Sequence, residues 1–139
     1  MARNNGLPTI LRNLQIYSKR LRQDLVFEVV KTATTIESKA KSRVVVDSGK
    51  LKQSIYSTPP KNGICEVGAT EDYAPYIEFG TGGNVEVPNS FNDLAIQFKG
   101  KGIRTINRAA QPFLIPAFLE ESENLKKETE NIVSKYSAK

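Results

Sequence analysis

Residues 7–40 read LPTILRNLQIYSKRLRQDLVFEVVKTATTIESKA. Leu7, Leu11, Leu14, Tyr17, Leu21, Leu25, Val29, Ala33, Ile36 and Ala40 recur in it at steps of three and four, the spacing that lines one face of a helix. Pro8 suits the first turn, where a missing N–H costs nothing. The mean apolar spacing is slightly above 3.6, which argues against a left-handed coiled-coil seam and for packing on a globular body. About 34 residues at ~1.5 Å each make a rod of ~50 Å, whereas a compact domain of this chain's length has a diameter of ~37 Å. The helix therefore either breaks near Val29–Thr35, where β-branched residues weaken it, or overhangs its domain and packs on another subunit.

Beyond the helix the signals shorten. Val44-Val45-Val46 disfavours helix, and Asp47 or Ser48 is placed to cap a short turn holding Leu51. Ile55–Thr58 and Ile64–Gly68 read as strands of an antiparallel pair, joined through Pro59-Pro60-Lys61-Asn62-Gly63. Tyr73–Phe79 reads as a short helix with an Asp72 cap, Pro75 in the first turn and Gly80 as a left-handed end. Thr81–Asn84 opens a loop, Phe91–Phe98 is a short helix ended by Gly100–Gly102, and Ile103–Ile106 is an edge strand. Pro112 or Pro116 begins a final helix opened by Glu120, Glu121 and Glu123, with Lys135 and Lys139 late, as the helix dipole favours. Glu123 and Lys127 form an i,i+4 pair within it.

The expected fold is α+β: a long N-terminal helix and a C-terminal helix packed on a small antiparallel sheet, with a loop insertion. With 139 residues and no internal repeat or linker, residues 1–139 read as a single domain. Within it, 1–43 form the long helix, 44–111 the sheet, short helices and insertion, and 112–139 the C-terminal helix.

Composition narrows the function. The chain has no histidine, which removes the usual general base near neutral pH and the commonest metal ligand. A single cysteine, Cys65, forms no internal disulfide and reads as a small buried hydrophobe. No apolar run approaches the ~18 residues of a membrane span, and Met1–Gly6 lacks a signal-type apolar region, so a soluble protein without membrane partners is expected. The net charge is +5, unevenly placed. Arg3, Arg12, Lys19, Arg20 and Arg22 precede the first acid, Asp24, and residues 94–119 hold Lys99, Lys101, Arg104 and Arg108 without an acid. Such asymmetry can set the register of a head-to-tail contact.

Few residues qualify for chemistry. Glu71, Asp72 and Glu78 have carboxylates for a divalent cation, but capping and helix spacing explain them more simply. Glu78, between aromatics, reads as an ordinary exposed carboxylate or as a partner for a cation of a neighbouring subunit. Gly80-Thr81-Gly82-Gly83 lacks the Lys-Ser/Thr of a phosphate loop. Lys99, Lys101 and Arg104, interleaved with Gly100 and Gly102, have the form of a phosphate-contacting loop or of a contact to an acidic protein, against a plain solvated loop. No catalytic residue, cofactor, metal or small-molecule substrate is implied.

Three blocks in fixed order carry more. They are Asp47-Ser48-Gly49-Lys50-Leu51-Lys52-Gln53-Ser54-Ile55, then Asp72-Tyr73-Ala74-Pro75-Tyr76-Ile77-Glu78-Phe79-Gly80-Thr81, then Gln111-Pro112-Phe113-Leu114-Ile115-Pro116-Ala117, with a strand end at Val67-Gly68 between the first two. Together with the long first helix they resemble the tail-component family of long-tailed bacteriophages, the tail-completion or head-tail joining proteins. The resemblance implies a non-enzymatic virion protein at the head-tail junction, made in host cytoplasm. It further implies assembly as a homo-oligomeric ring beside other connector and tail proteins. On this reading Tyr73, Tyr76, Glu78, Phe79, Thr81, Pro112, Phe113 and Pro116 are the candidates for subunit contact. A ring needs a heterologous contact, and the basic N-terminal helix meeting the acidic final helix of the next subunit would serve. The alternative function is a phage accessory protein that binds DNA without sequence specificity.

Overall fold

The computed structural model describes residues 6–44, 49–80 and 109–137. Its elements are α1 (Gly6–Arg43), α2 (Gly49–Ser54), β1 (Ile55–Ser57), β2 (Val67–Ala69), α3 (Ala74–Phe79) and α4 (Ile115–Ser137). This is the α+β arrangement that the sequence implies. The Asp47 or Ser48 cap, the Phe91–Phe98 helix and the Ile103–Ile106 strand fall outside the described residues.

Helix α1 runs unbroken for 38 residues, about 57 Å at ~1.5 Å per residue. The β-branched stretch Val29–Thr35, where a break is one of the two expected outcomes, is held by its own side chains. Thr34 and Thr35 donate their hydroxyls to the carbonyls of Val30 and Lys31, at 2.9 and 2.8 Å, and Ala33 and Ile36 are buried in the same turns. Packing on the inner face thus outweighs weak propensity.

Helix α4 lies antiparallel to α1. At one end Lys39 reaches both Glu120 and Glu121, and Arg43 donates to Glu120 at 2.8 Å. At the other, the Tyr136 hydroxyl donates to Asp24 at 2.6 Å and the Tyr136 ring meets Tyr17 edge-on, with centroids 5.0 Å apart. Between these clamps the first helix uses small and medium residues, Ala33, Ile36 and Ala40, which let the backbones approach. Glu123 and Lys127, expected as a pair, form no bridge, and Glu120 and Glu121 serve the interhelical seam instead.

Among the described residues the sheet is a two-stranded antiparallel hairpin with Ile55 opposite Ala69, Tyr56 opposite Gly68 and Ser57 opposite Val67. Both strands are shorter than their apolar runs suggest. The Thr58 N–H still donates to the Glu66 carbonyl, and the Thr58 hydroxyl accepts the Glu66 N–H, yet the next exchange is between Lys61 and Ile64, so Pro59 and Pro60 together oppose Cys65. Neither proline has an N–H for the ladder, and the extra residue makes a bulge. Cys65 consequently lies outside the strand and only half-buried, a correction to the buried position expected of it. Asn62 and Gly63 turn the chain with φ of 54° and 77°, the two left-handed positions of a type I′ hairpin. Gly68 leaves room for Tyr56 across the ladder: a Cβ there would lie 3.0 Å from the Tyr56 hydroxyl and 3.2 Å from its ring, so that side chain would have to shift.

The core gathers Ile36 and Ala40 from the end of α1 and Val44 just beyond it with Leu51, Ile55, Ala74, Phe113 and Ala117. It fills only the C-terminal half of α1. Glu37, on the flank of that half, accepts from Lys41 and from the Ser57 hydroxyl. These two bonds, Lys41 first, hold its carboxyl below the usual carboxylate range and fasten β1 to the helix.

Candidate functional site

Helix α4 begins without a local cap. Leu114 precedes Ile115, and neither it nor Phe113 has a side-chain acceptor for the N–H groups that every helix start leaves open. The acceptor comes from α3. Glu78 Oε2 accepts the backbone N–H of Phe113 at 2.8 Å and of Leu114 at 2.9 Å, while Oε1 accepts that of Ile115 at 2.9 Å. Pro116 follows and has no N–H to satisfy, and Phe118 then donates to the Leu114 carbonyl at 2.9 Å, opening the regular ladder. The donor inventory of the helix start is nearly complete with one side chain.

Glu78 is 6% exposed. A buried carboxylate is costly unless its oxygens are hydrogen-bonded; here three amide donors and the positive end of a 23-residue helix compensate it. The sequence favours an exposed carboxylate at this position, and the structure corrects that reading. The reason is spacing: the donors lie 35 to 37 residues away, beyond any local pattern.

Helix α3 is built to aim Glu78. Its start is not capped by Asp72, as the sequence suggests, but follows Tyr73 with no side-chain cap; the Ala74 N–H instead reaches the Glu71 carbonyl at 3.0 Å. Pro75 sits in the first turn. Gly80 ends the helix at φ 80°, ψ −176°, an extended positive-φ region closed to other residues, rather than the ordinary left-handed end. One further bond, from the Gln111 N–H to the Ile77 carbonyl at 2.8 Å, joins α3 to the strand of chain that enters α4.

The second and third sequence blocks thus form one unit. Phe79 and Phe113 are buried within it, Tyr76 and Pro116 are half-buried, and Tyr73 and Pro112 are exposed. Thr81, Lys99, Lys101 and Arg104 lie outside the described residues. Among the described residues, no group of three or more potential metal ligands comes together, and no helix is long and apolar enough to cross a membrane.

Residues 9–80, just over half of the chain's 139, match a protein family described as "Bacteriophage HK97-gp10, putative tail-component". The chain belongs to this HK97-gp10-like family. Neither a curated protein nor a solved structure matches it significantly. The match spans most of α1, the hairpin and α3, and ends at Gly80. Its last element is therefore the helix that carries Glu78, the residue through which the HK97-gp10-like part of the chain holds the start of α4. Membership makes the protein a phage tail component, a constituent of the virion that works among other phage structural proteins.

Proposed function

We propose that this tail component acts at the head-tail junction, where it completes or joins the tail by assembling into a ring. The observation that carries the reading is the overhang of α1. The helix outruns its antiparallel neighbour, whose last turn meets it at Tyr17 and Asp24, and leaves Leu7, Ile10, Leu11 and Leu14 at 53–67% exposure. A run of leucines that exposed is stable only when something covers it. Family membership supports the virion as the setting. Tyr73 and Pro112 are the exposed members of the α3–α4 unit and are assigned to subunit contact. Tyr76, Glu78, Phe79, Phe113 and Pro116 fix the shape that presents them.

The test is particle mass by analytical ultracentrifugation at high concentration together with imaging of intact virions. A closed ring in either setting is the expected result. A monomer in solution and single copies in the virion would refute the reading.

A further inference from the structure

The core-facing stripe of α1 does not stop where α4 stops. Leu21, Leu25 and Val29 are half-buried, and Ile36 and Ala40 fully buried. Read toward the N-terminus at the same helical spacing, the stripe continues as Leu14, Leu11 and Leu7, all exposed. The overhang therefore presents a helix-packing face of the kind that binds α4 lower down, with no helix of its own chain to receive it among the described residues.

Charge indicates what receives it. Residues 6–23 carry Arg12, Lys19, Arg20 and Arg22 and no acid; Arg12, Lys19 and Arg22 make no ion pair among the described residues. Residues 115–125, the first half of α4, carry Glu120, Glu121 and Glu123 and no cation, and expose Phe118 and Leu119 at 44% and 41%. Lys39 and Arg43 engage Glu120 and Glu121 from within the chain, which leaves Glu123 unbridged and Glu120 still 46% exposed. The two regions lie at opposite ends of α1. Leu11 and Lys39 are 28 residues apart on one helix, about 42 Å at ~1.5 Å per residue, so a chain cannot bring its own overhang to its own acidic half-helix. A second copy can.

We propose that the overhang of one copy docks on the first half of α4 of the next. Leu7, Leu11 and Leu14 then pack against Phe118 and Leu119, with Arg12 and Lys19 facing Glu123. The inference rests on the ring reading above and names its contact. Such a contact joins two different surfaces, so it propagates head to tail and closes into a ring when the rotation allows. About three turns of helix cover less than the ~800 Å² per partner of a stable interface. The contact accordingly holds only cooperatively, when the ring closes or forms on a template.

Disulfide trapping tests it in a Cys65→Ser background that carries both Leu11→Cys and Leu119→Cys, applied to concentrated protein and to virions containing it. Within one chain these positions are too far apart to bridge, since a disulfide needs Cα atoms within ~7 Å. The expected result is a ladder of multimers ending at the ring size and absent from either single-cysteine variant. Arg12→Glu with Lys19→Glu should abolish the ladder, and Glu123→Lys added to them should restore part of it, with unchanged helicity excluding misfolding. Efficient self-cross-linking of Leu11→Cys alone would mean symmetric pairing of overhangs and overturn the proposal. Rings visible in virions without a ladder would overturn this contact and spare the ring reading; no ring in either setting would end both. Loss of DNA binding on Arg12 and Lys19 reversal, with no ladder in the parent, would make the overhang a nucleic-acid arm instead.

Discussion

Glu78 accepts the Phe113 N–H at 2.8 Å, across 35 residues of chain. That one bond, with its companions to Leu114 and Ile115, makes the position of the last helix depend on the last helical turn of α3. A motif composed chiefly of aromatics and prolines thus has a polar keystone, and the aromatics close around it.

Replacing Glu78 should therefore act on stability before it acts on assembly. Glu78→Ala leaves buried amide donors without an acceptor, each costing ~1–3 kcal/mol, and an overall loss of about 3 kcal/mol is expected. Glu78→Gln keeps one acceptor oxygen and loses the charge opposite the helix dipole, so its loss should be intermediate. Urea unfolding monitored by circular dichroism checks both. Equal stability of all three proteins would mean that the cap does not hold α4.

Phe113 and Phe79 are 1% and 4% exposed, and truncation of either to Ala should cost roughly 3–5 kcal/mol as a buried aromatic does. Phe113 packs in the central cluster with Ile36, Ala40 and Ala117, so its variant should also loosen α1 from α4. A Phe79→Ala protein that melts normally and fails to assemble would show that Phe79 serves the interface directly.

How far the sequence reveals this arrangement depends on the range of each interaction. The helix over residues 7–40 is legible because its signal repeats at 3.6 residues along its whole length, and only the expected break at Val29–Thr35 had to be settled by packing. The hairpin is legible through Asn62-Gly63, but its strands read too long because alternation ignores the two missing N–H groups of Pro59 and Pro60. The Glu78 cap is not legible from spacing. A signal for it exists all the same: Phe113-Leu114-Ile115-Pro116 opens a helix with no Ser, Thr, Asp or Asn at its head, and an uncapped start calls for an acceptor from elsewhere. The acidic opening of α4 suits the helix dipole in sequence, whereas the structure uses Glu120 and Glu121 a turn further in to hold Lys39 and Arg43.

That seam makes a pH prediction. Lys39, then Arg43, holds the Glu120 carboxyl below the usual carboxylate range, while Glu120, then Glu121, raises the Lys39 ammonium. A carboxyl depressed in the folded state contributes stability that is present above its unfolded value and lost as pH falls through the folded one. The α1–α4 seam should weaken on acidification, and Glu120→Gln should flatten that acid limb. At the far end Tyr136 is raised by its bond to Asp24. A raised phenol contributes stability below its unfolded value and loses it as pH rises through the folded one, so this clamp should release in alkali. Thermal melts across pH, with Tyr136→Phe as control, check both limbs; an alkaline loss that persists unchanged in Tyr136→Phe would assign it elsewhere.

The last prediction separates the ring from DNA binding through Lys99, Lys101 and Arg104. If these residues neutralise DNA phosphates, changing all three to Gln should weaken binding equally on every sequence and flatten its salt dependence by roughly 0.9 per lost contact. A structural ring predicts a different pattern. The free protein should then bind DNA weakly at physiological salt, because it carries a net charge of only +5. The triple change should alter assembly, or leave both assembly and DNA binding untouched. Binding isotherms for the wild-type protein on two unrelated duplexes at several salt concentrations decide between them. Tight, steeply salt-dependent binding that the triple change removes would establish the DNA-binding reading in place of the ring.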